Sequence, residues 1–182
     1  MAATIIINRL TGVTPTKTNI TSSNTRSSYS DAPTPGTSDP VPIPPSGTNR
    51  AWWVTTRLEC TIAPTGTVNN LKWYTAAGSN PYTGIDLTVG TTTYANYTVA
   101  TGSAGAGTSG TELIAANYTG LSPTGTPDNA WAYTSGSPLS VAGSTSTAVD
   151  FGDVVVFQHA VDNTASAGAA AAQTITWQYD ET

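Results

Sequence analysis

The sequence predicts an all-β fold, an antiparallel β-sandwich of jelly-roll-like type that carries an extended N-terminal arm. Three observations support this prediction. Several segments alternate apolar and polar residues with a period of two. Turn-forming Gly, Pro, Asn and Ser separate these segments. The first fifty residues differ in composition from the rest of the chain. Short strands joined by polar loops are typical of sandwiches and jelly rolls.

The N-terminal arm consists of a short apolar segment followed by a long polar one. Residues 4–10 read TIIINRL, a strongly β-forming stretch. Residues 11–50 are rich in Thr, Ser, Asn, Pro and Gly, which cannot build a core. We therefore divide the chain into an arm, residues 1–50, and a sandwich domain, residues 51–182. A β-forming segment on such a tether is expected to pair with a sheet edge, and the sequence leaves open whether that edge belongs to the same chain.

The predicted strands of the body follow from the alternation. Residues 52–62 have one face that begins with Trp52 and continues through Leu58 and Cys60, and this face is expected to be buried. Residues 71–74, 85–89 and 91–99 are the next predicted strands. Residues 154–161 and 173–179 are expected to form a pair, and Ile175 and Trp177 share one face of the last strand.

Charge is scarce and unevenly distributed. Charged residues make up 9% of the chain, and all six Lys and Arg lie within the first 72 positions. The arm is therefore mildly basic and the body acidic, which favours docking of the arm on an acidic protein surface. Nucleic acid is not an expected partner, because the chain has no basic cluster that would displace counterions from phosphates.

The residues needed for common catalytic and metal sites are few. One cysteine, Cys60, and one histidine, His159, exclude an internal disulfide and a multi-histidine site within one chain. Asp150-Phe151-Gly152-Asp153 indicates a turn before a strand. We therefore expect no enzyme activity, no cofactor and no metal site. No signal peptide or membrane-spanning stretch is recognised, so we expect synthesis in a cytosol and no membrane partner.

Two groups of residues are candidates for contacts with a partner. Ile5, Ile6, Ile7 and Leu10 are the expected anchors of the arm, and Arg9 is the expected charge contact. Trp53 and Trp131 are the aromatic side chains expected at a contact surface, where they could also stack on a glycan.

The chain resembles the capsid decoration, or cement, proteins of tailed bacteriophages. The resemblance lies in the extended arm through Pro45, the Thr/Ser/Gly/Ala-rich β-body from Ala51, the scarcity of cysteine and the closing strand Gln173–Tyr179. It implies a homo-oligomer, with a trimer favoured, on the outer surface of the virion. There the arms would contact the major capsid protein or neighbouring copies.

The leading hypothesis is therefore a structural virion protein that decorates and stabilises a viral capsid. Two alternatives stay open at this point. One is a carbohydrate-binding β-sandwich of a fibre or host-surface module. The other is a filament or tail-tube subunit that assembles by strand addition.

Overall fold

The protein is an antiparallel β-sandwich, which confirms the predicted fold class. The structure, a computed structural model, describes residues 2–23, 25–37, 39–100, 110–122, 128–168 and 170–182. Its ten strands are β1 (Thr4–Thr11), β2 (Thr16–Asn19), β3 (Thr48–Arg50), β4 (Val54–Ile62), β5 (Val68–Thr75), β6 (Ile85–Thr92), β7 (Asp128–Asn129), β8 (Leu139–Val141), β9 (Asp150–Asp162) and β10 (Ile175–Glu181). Two single-turn 3-10 helices occupy Tyr94–Asn96 and Ala130–Ala132.

The strands form a large sheet and a small sheet that pack against each other. The large sheet runs β2-β1-β4-β9-β6-β7, and β3 pairs with one end of β9. The small sheet runs β10-β5-β8. Strand β9 thus lies between β4 and β6, while β8, which precedes it in the chain, lies beside β5. Successive strands from β4 to β6 and from β8 to β10 therefore alternate between the two sheets.

Both faces of the large sheet are covered. Between the sheets, the inward side chains of β4, β5, β6 and β9 form the main core, which includes Val54, Leu58, Trp73 and Phe157. On the opposite face, Leu10, Trp53, Val154 and Val156 pack with residues of the segment that follows β6, among them Leu113, Tyr118 and Leu121. The alternating residues of β9 therefore enter two different cores, which explains its continuous run of buried valines.

The N-terminal segment binds to its own chain. Strand β1 pairs antiparallel with β4, with Ile5 opposite Cys60 and Leu10 opposite Thr55. Strands β1, β2 and β3, all from the predicted arm, are thus strands of the large sheet. The question that the sequence left open is answered for this chain: residues 4–10 pair in cis.

Three local expectations are corrected. Strands β9 and β10 lie in different sheets and do not pair. The predicted strand at 91–99 ends at Thr92, and a 3-10 turn follows at Tyr94–Asn96. The residue predicted to begin the buried face, Trp52, is only half-buried, whereas Trp53 is buried. The reason is that β4 begins at Val54, so the alternation does not extend back to the tryptophan pair.

Candidate functional site: the β10 edge of the small sheet

The predicted arm anchors contribute to the interior of their own chain. Ile5 and Ile7 are half-buried against the main core, and Leu10 is 3% exposed in the second core. Ile6, on the alternate face, is half-buried as well. These side chains stabilise the pairing of β1 with β4. Of the four predicted anchors, the three isoleucines are partly exposed and could contact a partner, whereas Leu10 is buried.

The expectation that Arg9 is a charge contact for a partner is corrected, because Arg9 is 1% exposed. Its Nη1 donates to Thr25 Oγ1 at 3.0 Å and to the carbonyl oxygen of Arg26 at 3.3 Å. Burial lowers the pKa of Arg9, and the nearby Asp31 opposes that shift. Asp31 itself accepts a hydrogen bond from the amide of Gly12 at 2.7 Å. Arg9 therefore holds the segment after β2 against the sheet.

The basic residues at the start of the chain also pair with acids of the body. Lys17 Nζ lies 2.9 Å from both Glu59 and Asp150, and Arg50 Nη2 lies 2.6 Å from Glu112. The complementarity between a basic arm and an acidic body, read from the sequence, is thus met within one chain.

The two tryptophans expected at a contact surface are buried, and this expectation is corrected. Trp53 is 3% exposed, packs edge-on against Tyr118 at 5.4 Å, and donates from Nε1 to the carbonyl oxygen of Thr98. Trp131 is 2% exposed and packs edge-on against Tyr82 at 5.8 Å. A sandwich in which both faces of the large sheet are covered has room for aromatic side chains in two cores, and the sequence does not reveal the second core.

The titratable groups of the described residues are dispersed. Among them, no three His, Cys, Asp or Glu side chains lie close enough together to hold a metal ion. Cys60 is 1% exposed, and burial raises the pKa of its thiol. His159 Nδ1 lies 2.6 Å from Ser27 Oγ, and burial lowers the pKa of this imidazole to about 4. Within the described ranges, no helix is long and apolar enough to cross a membrane.

The surface best suited to bind a partner is the outer edge of β10. This seven-residue strand pairs with β5 on one side, and in the part of the chain that the structure describes it pairs with no strand on the other. Strands β2 and β7 at the edges of the large sheet, by contrast, have four and two residues. A long edge strand with apolar side chains is a ready template for another strand.

The hydrogen-bonding direction along β10 follows from its pairing with β5. The amide of Ala76 donates to the carbonyl oxygen of Thr174, and the register then continues one for one from Ile175 opposite Thr75 to Gln178 opposite Lys72. Because hydrogen-bonded and non-hydrogen-bonded pairs alternate in an antiparallel ladder, Thr176 and Gln178 bond to β5. The backbone N–H and C=O groups of Ile175 and Trp177 therefore point away from β5, towards the open edge.

Half-buried apolar side chains surround this edge. Ile175, Trp177 and Tyr179 pack against the main core from β10, and Ile5 and Ile7 pack against the same core from β1. The two strands also approach each other at their ends, where the amide of Ala3 donates to Glu181 Oε2 at 2.9 Å. An open depression of about 540 Å³ lies there, lined by Ala2, Thr65, Gly66, Glu181 and Thr182. The edge of the small sheet thus opens beside the inner face of β1.

The alternation of Ile175, Trp177 and Tyr179 was enough to predict a strand, but not its place at an edge. That place depends on the order of the strands in the sheet, which sequence alone does not specify.

Comparison with known proteins gives no relative: no family model, no curated protein and no solved structure matches this chain.

Proposed function

We propose that this protein is a non-enzymatic structural subunit that decorates and stabilises a viral capsid from its outer surface. The observation that carries the proposal is the open edge of β10, where Ile175 and Trp177 direct backbone donors and acceptors outward beside half-buried isoleucines. Strand addition at such an edge joins proteins through main-chain hydrogen bonds and needs no catalytic group.

Two further properties support this role. The chain is a two-sheet antiparallel sandwich, an architecture that includes the jelly rolls of viral capsid and lectin domains. The surface carries few charges, and several of them are neutralised by the ion pairs of Lys17 and Arg50. A surface of hydroxyls and short loops suits tight packing against a neighbouring protein. The partners in this proposal are the major capsid protein and neighbouring copies in a homo-oligomer, for which a trimer is favoured.

The alternatives differ in the support they receive. A carbohydrate-binding role relied on an aromatic platform at Trp53 and Trp131, and both side chains are buried. A filament or tail-tube subunit would also use strand addition, with each copy bound head to tail. Solution mass separates this alternative from a decoration protein, because an open filament grows with concentration whereas a closed oligomer does not.

The test is binding to empty shells assembled from the major capsid protein of the same virus. We expect the purified chain to sediment with bare shells, to saturate at a fixed number of copies per shell, and to raise the temperature at which shells disrupt. Shells already saturated with the unlabelled chain are the control, since they should take up no further labelled protein. Failure to sediment with bare shells would contradict the proposal.

A further inference from the structure

We propose that the β10 edge binds an extended peptide segment of a partner protein in antiparallel orientation, with a Lys or Arg near its N-terminus followed by alternating apolar residues. This deepens the proposed function, because it states the chemistry of the capsid segment that the edge would bind. Three features of the edge support this ligand: its backbone groups, its apolar surroundings and the position of two carboxylates.

The backbone groups specify an extended ligand. Ile175 and Trp177 present N–H and C=O groups to the open edge at the two-residue spacing of an antiparallel ladder. Antiparallel addition continues the pattern of the existing sheet, in which β10, β5 and β8 are all antiparallel. A helix or a folded loop could not satisfy these groups in sequence.

The surroundings specify alternating apolar side chains. A strand added beside β10 would direct every second side chain to the interior side of the small sheet, where Ile175, Trp177, Ile5 and Ile7 are half-buried. Apolar residues at those positions would complete the burial of these groups, which is favourable because it removes apolar surface from water. The remaining side chains would face solvent and can be polar.

The charges specify the direction and the basic residue. Asp180 and Glu181 lie at the C-terminal end of β10, and both are exposed. Asp180 accepts a hydrogen bond from Asn70 Nδ2 at 2.6 Å, and Glu181 accepts one from the amide of Ala3. Neither carboxylate belongs to any of the ion pairs formed among the described residues. In an antiparallel complex the N-terminus of the ligand lies beside this end of β10, so a cation there would be attracted by both carboxylates.

The experiment measures binding of a fluorescein-labelled peptide of sequence Lys-Thr-Val-Thr-Val-Thr-Val to the full-length protein. No shell is needed, so failure of this inference is distinguishable from failure of the proposed function. We expect saturable binding, about two- to fivefold weakened when the peptide carries Glu in place of Lys. The double variant D180N/E181Q should weaken binding of the Lys peptide by a similar factor. The control variant is Asp86→Asn, which removes a carboxylate on β6 and should leave binding unchanged.

Two further measurements show whether the peptide binds as a strand. N-methylation of alternate peptide residues should abolish binding when the methyl groups face β10 and retain it when they are on the other set. In hydrogen exchange, the amides of Ile175 and Trp177 should exchange rapidly in the free protein and slowly in the complex. The amides of Thr176 and Gln178, which bond to β5, should be slow in both states.

Several outcomes would overturn the inference. They are absence of peptide binding, equal effects of the two N-methylation patterns, or equal binding of the Lys and Glu peptides. Concentration-dependent protection of the Ile175 and Trp177 amides without peptide would also overturn it, because a second copy of the chain would then occupy the edge.

Discussion

Gly143 and Gly152 are the residues at which backbone geometry most strictly limits the sequence. Gly143 has a φ of +129°, and a Cβ placed there would lie 2.3 Å from the Cα of Gly152. The turn predicted at residues 150–153 is corrected, because these residues begin strand β9. Gly152, at φ +72°, instead lies where the register between β9 and β4 shifts. The two glycines thus let the segment after β8 pass directly against the start of β9.

The close approach predicts a large penalty for the smallest possible side chain. Gly143→Ala should lower the free energy of unfolding by more than about 2 kcal/mol, since both an unfavourable φ and a backbone clash oppose it. Gly136→Ala is the matched control, because its nearest neighbour would be Thr134 Oγ1 at 3.9 Å and its φ is not positive. Urea unfolding of both variants measures the difference, and equal stability of the two would contradict the proposed close packing.

The lowered pKa of His159 predicts how the free energy of unfolding depends on pH. Its pKa is lowered from an ordinary 6.5 to about 4 by burial, so the unfolded chain binds more protons than the folded one between these values. The stabilising effect of the neutral imidazole is complete above pH 6.5 and is lost as the pH falls towards 4. The loss should amount to about 1–3 kcal/mol.

The measurement for His159 is a difference between two proteins. Urea unfolding of the wild type and of His159→Gln is compared from pH 7 to pH 4, because other groups also titrate there. Asp31 is one of them, and burial raises its pKa, which acts in the opposite direction. We expect the difference in stability to narrow as the pH falls. A difference that stays constant across this range would show that His159 is not buried in its neutral form.

At the scale of elements, sequence periodicity predicted most strands but few of the partners with which they pair in the sheets. The alternation in residues 54–62, 68–75 and 85–92 reflects one face in a core, and that signal is local. Pairing is not local: β9 has the pattern of a strand, yet nothing in its residues shows that it lies between β4 and β6. The second core was missed because Trp53 and Thr55, both buried, lie on the face of residues 52–62 that the sequence suggests is the more polar one.

Strand β1 was predicted as a strand, and its place in the chain's own sheet has a testable consequence. Leu10→Ala should lower the free energy of unfolding by about 2–4 kcal/mol, because it empties a site that is 3% exposed in the second core. Val13→Ala, in the hairpin after β1 at 85% exposure, is the control and should change it by less than about 0.5 kcal/mol. If Leu10→Ala is as stable as Val13→Ala in thermal and urea unfolding, β1 does not belong to this core in solution.

For the molecule as a whole, the segment between β2 and β3 ties the N-terminal strands to the body. Besides the contacts of Arg9 and His159, the carbonyl oxygen of Ser28 accepts from the amide of Trp52 at 2.8 Å, and that of Pro42 accepts from Asn49 Nδ2 at 2.7 Å. Proline-rich sequence of this kind would be expected to stay unfolded without such contacts, since it buries little apolar area of its own. Its order therefore depends on a small number of buried polar groups.

Trypsin provides a direct test of this dependence, because every Lys and Arg lies within the first 72 residues. The bond after Arg26 is in the tied segment, whereas the bond after Lys72 is in the middle of β5. Arg9→Met removes the donors to Thr25 and Arg26 and should speed cleavage after Arg26 about tenfold, as expected from the loss of hydrogen bonds to a charged group.

Mass spectrometry of the fragments separates the two sites. Cleavage after Lys72 is the internal control, because it requires the sandwich itself to unfold. If both bonds are cut faster by the same factor, Arg9 stabilises the whole sandwich and does not act on this segment alone.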